Sequence, residues 1–224
     1  MDLFPLWNSL RIAFFASIIV FIFGVLFAAL IKKCPKIVKG ILDVILTLPL
    51  VLPPTVCGYF LLLIFGKTHP IGEWLATMGI SFVMDWKGGI LAATVVAFPL
   101  MYRTVRASFE SFDENIAYAG QTLGLSNPYI FWRIKMPACK SGIIAGSVLA
   151  FARALGEYGA TSMLIGYMPS KTATIATTVY QFWRTDNEQM AMIWVGINLA
   201  ISTIVLIAIN LFENNERKKV RIWA

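Results

Sequence analysis

The stretch Tyr118–Ala138, YAGQTLGLSNPYIFWRIKMPA, is polar and punctuated, and it interrupts a chain that is otherwise apolar in long runs. It carries Gly120 and Gly124, an Asn-Pro pair, Arg133, Lys135 and a second proline, Pro137. Just before it, Asp113, Glu114 and Asn115 suit a helix N-terminus, where carboxylates complement the positive end. Ile116 to Leu123 can make two turns, and Gly124 then suits the C′ position, where φ turns positive. Ser126, Asn127 and Pro128 start a second helix, with Asn127 as its cap and Pro128 in the first turn. Tyr129 to Lys135 continue it, and Pro137 ends it. The expected unit, about 109–140, is a helix, a glycine turn and a second helix. Tyr129, Phe131 and Trp132 are costly to leave in water. An apolar patch with a basic rim reads as a docking surface for another protein, or as an interfacial helix resting on lipid headgroups.

On both sides of this stretch the chain is membrane-like. Of 224 residues, 58% are hydrophobic and 14% charged, where a soluble domain carries about 25% charged residues. Spanning a bilayer takes roughly 20 apolar residues, and such runs occur at about 9–31, 41–65, 89–105, 141–165 and 190–211. The fold class is therefore all-α, a polytopic helical membrane protein with five spans, six being the alternative. One transmembrane domain over 1–224 is expected, with no soluble domain attached. The opening MDLFPLWNSLRIAFF lacks a basic segment before its apolar run, so it reads as a retained span and not a cleaved signal. Residues 66–88 are expected to hold a short amphipathic helix near 71–78, and residues 166–189 another at 173–183.

Lys and Arg gather on the cytoplasmic side of membrane proteins. Five spans put Lys32, Lys33, Lys36, Lys39, Arg103, Arg106, Arg133, Lys135, Lys140, Arg217, Lys218, Lys219 and Arg221 on one side. They put Arg11, Lys67, Lys87, Lys171 and Arg184 on the other. The N-terminus is then outside and the C-terminus cytoplasmic. A sixth full span inside 66–88 would place the basic clusters on opposite sides. This distribution accounts for the net charge of +7 without nucleic acid. Cys34, Cys57 and Cys139 have no metal-ligand spacing, and a disulfide among them is not expected. Gly66-Lys67-Thr68 lacks the earlier glycine of a phosphate loop, which would fall at Leu61. His69 is the sole histidine, so zinc-protease and Ser-His-Asp constellations are absent; it reads as a loop cap. No catalytic residue, cofactor or metal is expected.

Two further features fall inside spans. Pro49, Pro53 and Pro54 each remove a helix donor or clash with the preceding turn. They make either a kinked packing helix or a kink that lines a pathway. Arg153 and Glu157 are four apart, on one helix face, well inside the fourth span. Charges at that depth face the bundle interior or an aqueous path. They read as a structural pair locking the bundle or as a pathway and gate pair. Gly142, Gly146, Gly156 and Gly159 permit close helix approach, within this chain or against a second copy. A chain of five spans is small to enclose a pathway alone, so a homodimer is expected.

The 118–137 segment resembles the EAA loop of ABC-importer permeases: Glu-Ala-Ala, three residues, Gly, nine residues, Ile, one residue, Leu-Pro. Here Tyr118-Ala119-Gly120 takes the triplet, Gly124 the glycine, Ile134 the isoleucine and Met136-Pro137 the final pair. The departures are Tyr118 for Glu, Gly120 for Ala and Met136 for Leu. LPLVLPPTVCGYFLLLIFG (48–66), VVAFPLMYRTVRASFE (95–110) and SVLAFARALGEYGATSML (147–164) are similar to the permease subunit of molybdate importers, whose relatives carry tungstate or sulfate. The resemblance covers about Ser9 to Leu211. It implies a type I ABC importer permease fold in a prokaryotic inner membrane, with a cytoplasmic coupling helix pair. It also implies a second copy of the chain, two cytoplasmic ABC ATPase subunits, an extracytoplasmic molybdate-binding protein and surrounding lipid as partners. Site residues on this view are Tyr118, Ala119, Gly120, Gly124, Ile134, Met136 and Pro137 for coupling, with Arg153, Glu157, Pro53 and Pro54 in the pathway or gate. An ion-driven secondary transporter is the reading from another class; such proteins often show internal repeats, and none is apparent in this sequence.

Overall fold

The computed structural model describes residues 2–32 and 34–221, with side chains as far as Ile207. Lys33, Arg217, Lys218, Lys219 and Arg221, expected in the inner basic cluster, lie outside the described side chains. The order is α1 (Phe4–Ile31), α2 (Lys36–Val51), α3 (Pro54–Phe65), α4 (Pro70–Thr77), α5 (Trp86–Glu110), α6 (Glu114–Thr122), α7 (Asn127–Ile130), a π-helical turn (Phe131–Lys135), α8 (Met136–Ala138), α9 (Lys140–Leu155), α10 (Gly159–Ile165), α11 (Ile175–Arg184) and α12 (Glu188–Arg221).

The centre is a layer of α1, α5 and α9, joined through small residues. Ala13, Ala16 and Ala28 of α1, Ala92, Ala93 and Ala97 of α5 and Ala150 and Ala154 of α9 are buried. Lipid is as apolar as these side chains, so close van der Waals fit, not escape from water, holds such helices together. Gly24 lets α1 approach α5, since a Cβ there would meet Met101 Cγ at 2.6 Å. Ile12 reaches Gly89, Gly24 reaches Met101 and Lys32 reaches Phe109, so α1 and α5 run parallel. A Cβ on Gly142 would meet Ser108 at 2.5 Å, and one on Gly146 would meet Met101 at 2.9 Å. Thus α9 runs antiparallel to α5. The Gly142–Gly146 pair is accordingly filled by this chain's own α5 and not by a second copy.

Among the described residues, three helices are long and apolar enough to cross a membrane, Phe4–Ile31, Trp86–Glu110 and Glu188–Ile207. Two bent pairs bring the total to as many as five: Lys36–Val51 with Pro54–Phe65, at 113°, and Asn127–Ala138 with Lys140–Leu155, at 71°. Several boundaries differ from expectation. The first and third spans start earlier, at Phe4 and Trp86; Asp85 caps the latter by accepting from the Lys87 amide. The second span is not one kinked helix. A residue before proline avoids the α region, and Leu52 and Pro53 each precede one. Both are extended, with ψ 142° and 136°, so the helix stops for two residues and restarts in a new direction. The fourth span is likewise not one helix over 141–165: it opens at Gly156–Tyr158. Glu157 therefore does not sit on a continuous helix face with Arg153. The short helices expected near 71–78 and 173–183 are α4 and α11. His69 takes the N-cap position of α4 but makes no side-chain cap.

Opposite ends of the molecule are built differently. At one end Asn8 Nδ2 donates to the carbonyls of Thr172 and Ala173, at 3.1 and 2.9 Å, and Ser9 Oγ accepts from the Ile175 amide. These bonds tie the 166–174 segment and α11 to the start of α1. Arg11 lies 3.9 Å over the Trp86 ring at the same end. The other end gathers Lys32, Lys39, Arg106 and Lys135 with Asp43, Glu110 and Glu114.

Candidate coupling surface and transmembrane pathway

The segment quoted at the outset folds as a helix pair at the charged end. Asp113 caps α6 by accepting from the Asn115 amide at 2.9 Å. Gly124 has φ +78°, the left-handed region that glycine enters without steric cost, and a Cβ there would meet nothing within 4 Å. The second half departs from expectation. Ser126, not Asn127, is the N-cap of α7, and Asn127 Oδ1 accepts from Gln121 Nε2 at 2.9 Å, bridging the two halves. Pro137 is the second residue of the short α8, the helical run ends one residue later at Ala138, and the chain turns at Cys139. That turn is held to α5, where Ser108 Oγ donates to the Cys139 carbonyl at 3.3 Å.

The predicted coupling residues divide between surface and anchor. Tyr118, Ala119, Gly124 and Pro137 are exposed, Gly120 is buried, and Ile134 and Met136 are half-buried against the core. Gly120 lets α6 close on α7, with Ile130 at 3.3 Å from a Cβ built there. The exposed apolar face consists of Tyr118, Leu123, Tyr129 and Trp132, with Leu123 80% exposed. Phe131 does not join this face: it turns inward, its ring 6.0 Å from that of Phe109.

Two charged clusters fasten this end, and the sequence reading identified neither. Glu114, in the first turn of α6, accepts from Lys32 at the end of α1 and, at 3.3 Å, from Lys135 in the second half of the pair. Lys32 also donates to the Phe109 carbonyl at 3.1 Å. One carboxylate thus joins α1, the end of α5 and both halves of the protruding pair. The Lys32 ammonium bonded to Glu114 holds its carboxyl below the usual carboxylate range. A depressed folded-state pKa gives stabilisation that is present above the ordinary value of about 4.3 and lost as pH falls through the folded value. The second cluster links α2 to α5. Asp43 pairs with Arg106 and accepts from the Tyr102 hydroxyl, and Glu110 accepts from Arg106 Nε at 3.0 Å and Lys39 at 2.7 Å. The signal for it was in the sequence: Asp43 is a lone carboxylate inside an apolar run, and such a group needs a partner.

Glu114→Gln is expected to lower the thermal-unfolding midpoint of the purified protein, because Lys32 and Lys135 lose their shared carboxylate. A Lys32→Glu, Glu114→Lys double exchange should restore part of the loss. Unfolding followed in detergent checks it, and an unchanged midpoint for Glu114→Gln would count against Glu114 as the fastening.

The pathway candidates come together at the two helix breaks. A Cβ on Gly159 would lie 2.9 Å from Pro54 and 3.1 Å from the Thr55 amide nitrogen, and one on Gly58 would lie 2.7 Å from Ala160 Cα. Helices α3 and α10 therefore run side by side away from their breaks. Each break follows a helix of sixteen residues, α2 or α9, about 24 Å at 1.5 Å per residue. Pro53, Thr55 and Gly156 are exposed beside the junction and Arg153 is half-buried. Irregular backbone at membrane depth is tolerated only inside protein or along a water-filled cavity, so this face is not a lipid face. Arg153 Nη1 lies 2.6 Å from Glu157 Oε2, an ion pair without hydrogen-bond alignment, and Glu157 Oε1 accepts from the Ala160 amide at 2.7 Å.

Comparison with known proteins places this architecture. The chain is 40% identical over 212 residues to the molybdenum transport system permease protein ModB of Escherichia coli K12, covering 92% of this chain and 91% of that one. It is 29% identical over 212 residues to the sulfate transport system permease protein CysT of the same strain, covering 95% and 76%. Among solved structures it resembles a chain of the bacterial ABC transporter that imports the acidic polysaccharide alginate, with a TM-score of 0.78, 16% identity and coverage of 95% and 79%. The likeness shows that the fold is that of an ABC importer permease. Residues 20–220 match the model of the binding-protein-dependent transport system inner membrane component, and the chain belongs to that family.

Proposed function

We propose that this chain, as a single permease domain over 1–224, forms the translocation pathway of an ATP-driven molybdate importer. It works as a homodimer with two cytoplasmic ATPase subunits and an extracytoplasmic molybdate-binding protein. The ATPases supply the energy, and this chain opens alternately to each side. The observation that carries the mechanism is the helix pair at 114–138. It stands at the charged end, presents Tyr118, Leu123, Tyr129 and Trp132, and is fastened through Glu114 to α1. A groove on each ATPase would grip that face. On this reading the end rich in Lys and Arg faces the cytoplasm, as the positive-inside rule favours, with the N-terminus outside and the C-terminus inside. Molybdate is preferred to sulfate because identity to the molybdenum permease is 40%, against 29% to the sulfate permease; tungstate, the same shape and charge, is the nearer alternative.

The test is uptake into proteoliposomes holding the full complex, with binding protein supplied on the outside. Uptake of molybdate should require ATP, the ATPase subunits and the binding protein. Uptake that persists without the ATPases overturns the reading in favour of an ion-driven transporter. Preference for sulfate overturns the substrate assignment alone.

A further inference from the structure

Arg153 and Glu157 form an unequal pair. The Glu157 side chain is 2% exposed and that of Arg153 is 30% exposed. The anion is sealed in and the cation is open. Both carboxylate oxygens are engaged, one by Arg153 and the other by the Ala160 amide. The guanidinium is not used up: it has five N–H donors in a rigid fork, and among the described residues only Glu157 pairs with it. Arg153 lies in the last turn of α9, three residues before Gly156 and the break beside which Pro53, Thr55 and Gly156 are exposed.

A guanidinium fork matches tetrahedral oxyanions, and a dianion meeting an unpaired one at low dielectric would be held and released slowly. Conduction needs contacts favourable enough to enter and weak enough to leave. Glu157 supplies the weakening. Its carboxylate neutralises the guanidinium at rest and stays beside it, so an arriving dianion meets one cation already shared with an anion. Because Glu157 is buried while Arg153 is open, it lowers the affinity without blocking the approach.

We propose that Arg153 is the transit contact for the oxyanion within the membrane and that Glu157 is its resident competitor, setting a low affinity there. The proposal rests on the reading of the chain as an oxyanion permease. The parent complex is therefore assayed first: absence of any oxyanion uptake would be a failure of that reading and not of this one. The test then uses Glu157→Gln in the full complex. The amide oxygen can still accept from Ala160, while the charge is gone. Radiolabelled molybdate, added without binding protein, should bind this complex at least tenfold more tightly than the parent. Turnover should fall with the half-saturating concentration of loaded binding protein unchanged. Adding Arg153→Gln should abolish the gained binding, and adding Arg153→Lys should keep most of it. An assembled Glu157→Gln complex that binds no more tightly than the parent overturns the proposal. If that variant does not assemble, Arg153→Gln alone decides. Uptake per assembled complex should fall more than tenfold, and unchanged uptake overturns it.

Discussion

A Gly58→Leu chain is expected to lose several degrees of thermal stability and much of its level in the membrane. A Cβ at Gly58 would lie 2.7 Å from Ala160 Cα and 2.8 Å from the Ala160 carbonyl oxygen. Those are backbone atoms of α10, and they cannot rotate out of the way. Overpacking a core with side chains as neighbours costs typically about 1–3 kcal/mol, and here whole helices have to separate. Each kcal/mol is worth about 2–4 °C in a protein of this size. The separation would also part the two helix breaks, since Gly159 rests on Pro54 and Thr55 in the same joint. Thermal unfolding of the purified protein in detergent checks it. A Gly58→Ala chain should show a smaller loss of the same kind, and an unchanged midpoint for Gly58→Leu would mean that α3 and α10 do not meet this closely.

A Gly124→Val chain should insert and fold normally yet transport at least tenfold less. No atom lies within 4 Å of a Cβ at this position, so crowding plays no part. The cost is conformational: φ is +78°, and the left-handed region costs a residue with a side chain roughly 1–2 kcal/mol, more for a β-branched one. Since about 1.4 kcal/mol is a factor of ten in an equilibrium, the turn between α6 and α7 would mostly adopt another geometry. The exposed face divided between those helices would then no longer fit a partner. Asparagine tolerates the left-handed region, so Gly124→Asn should retain most of the transport. Equal activity of the Val and Asn variants would show that the turn conformation does not matter for coupling.

Gly124 was legible in the sequence because its surroundings leave few options. A glycine that follows two turns of helix and precedes Ser-Asn-Pro has a local reason to be glycine. The apolar runs were legible for a similar reason, since only helices satisfy their own backbone in lipid. What the sequence hid is cooperative. Arg153 and Glu157 carry i, i+4 spacing, which imitates a continuous helix, and the opening at Gly156–Tyr158 is followed by Gly159, which packs on distant Pro54 and Thr55. Pro53-Pro54 announced a disturbance but not its size, because a 113° turn depends on where α10 offers a partner. The Glu114 contacts join residues 21 and 82 positions apart, and no local pattern reports that. Phe131 looked like part of the exposed patch until Phe109 supplied a place for it.

The matched lengths of α2 and α9 have an electrical consequence. Both breaks lie about 24 Å along from the charged end, in a hydrocarbon layer about 30 Å thick. In the orientation proposed above, an ion that reaches Arg153 from outside has crossed the smaller part of the membrane voltage. A cell interior negative by 100 mV opposes each negative charge by about 2.3 kcal/mol, so about 5 kcal/mol for a dianion, and most of that climb lies on the inner side of the breaks. On the proposed mechanism the stroke that opens the inner half is where hydrolysis would be needed, and the helix pair proposed to meet the ATPases stands at that end of the molecule.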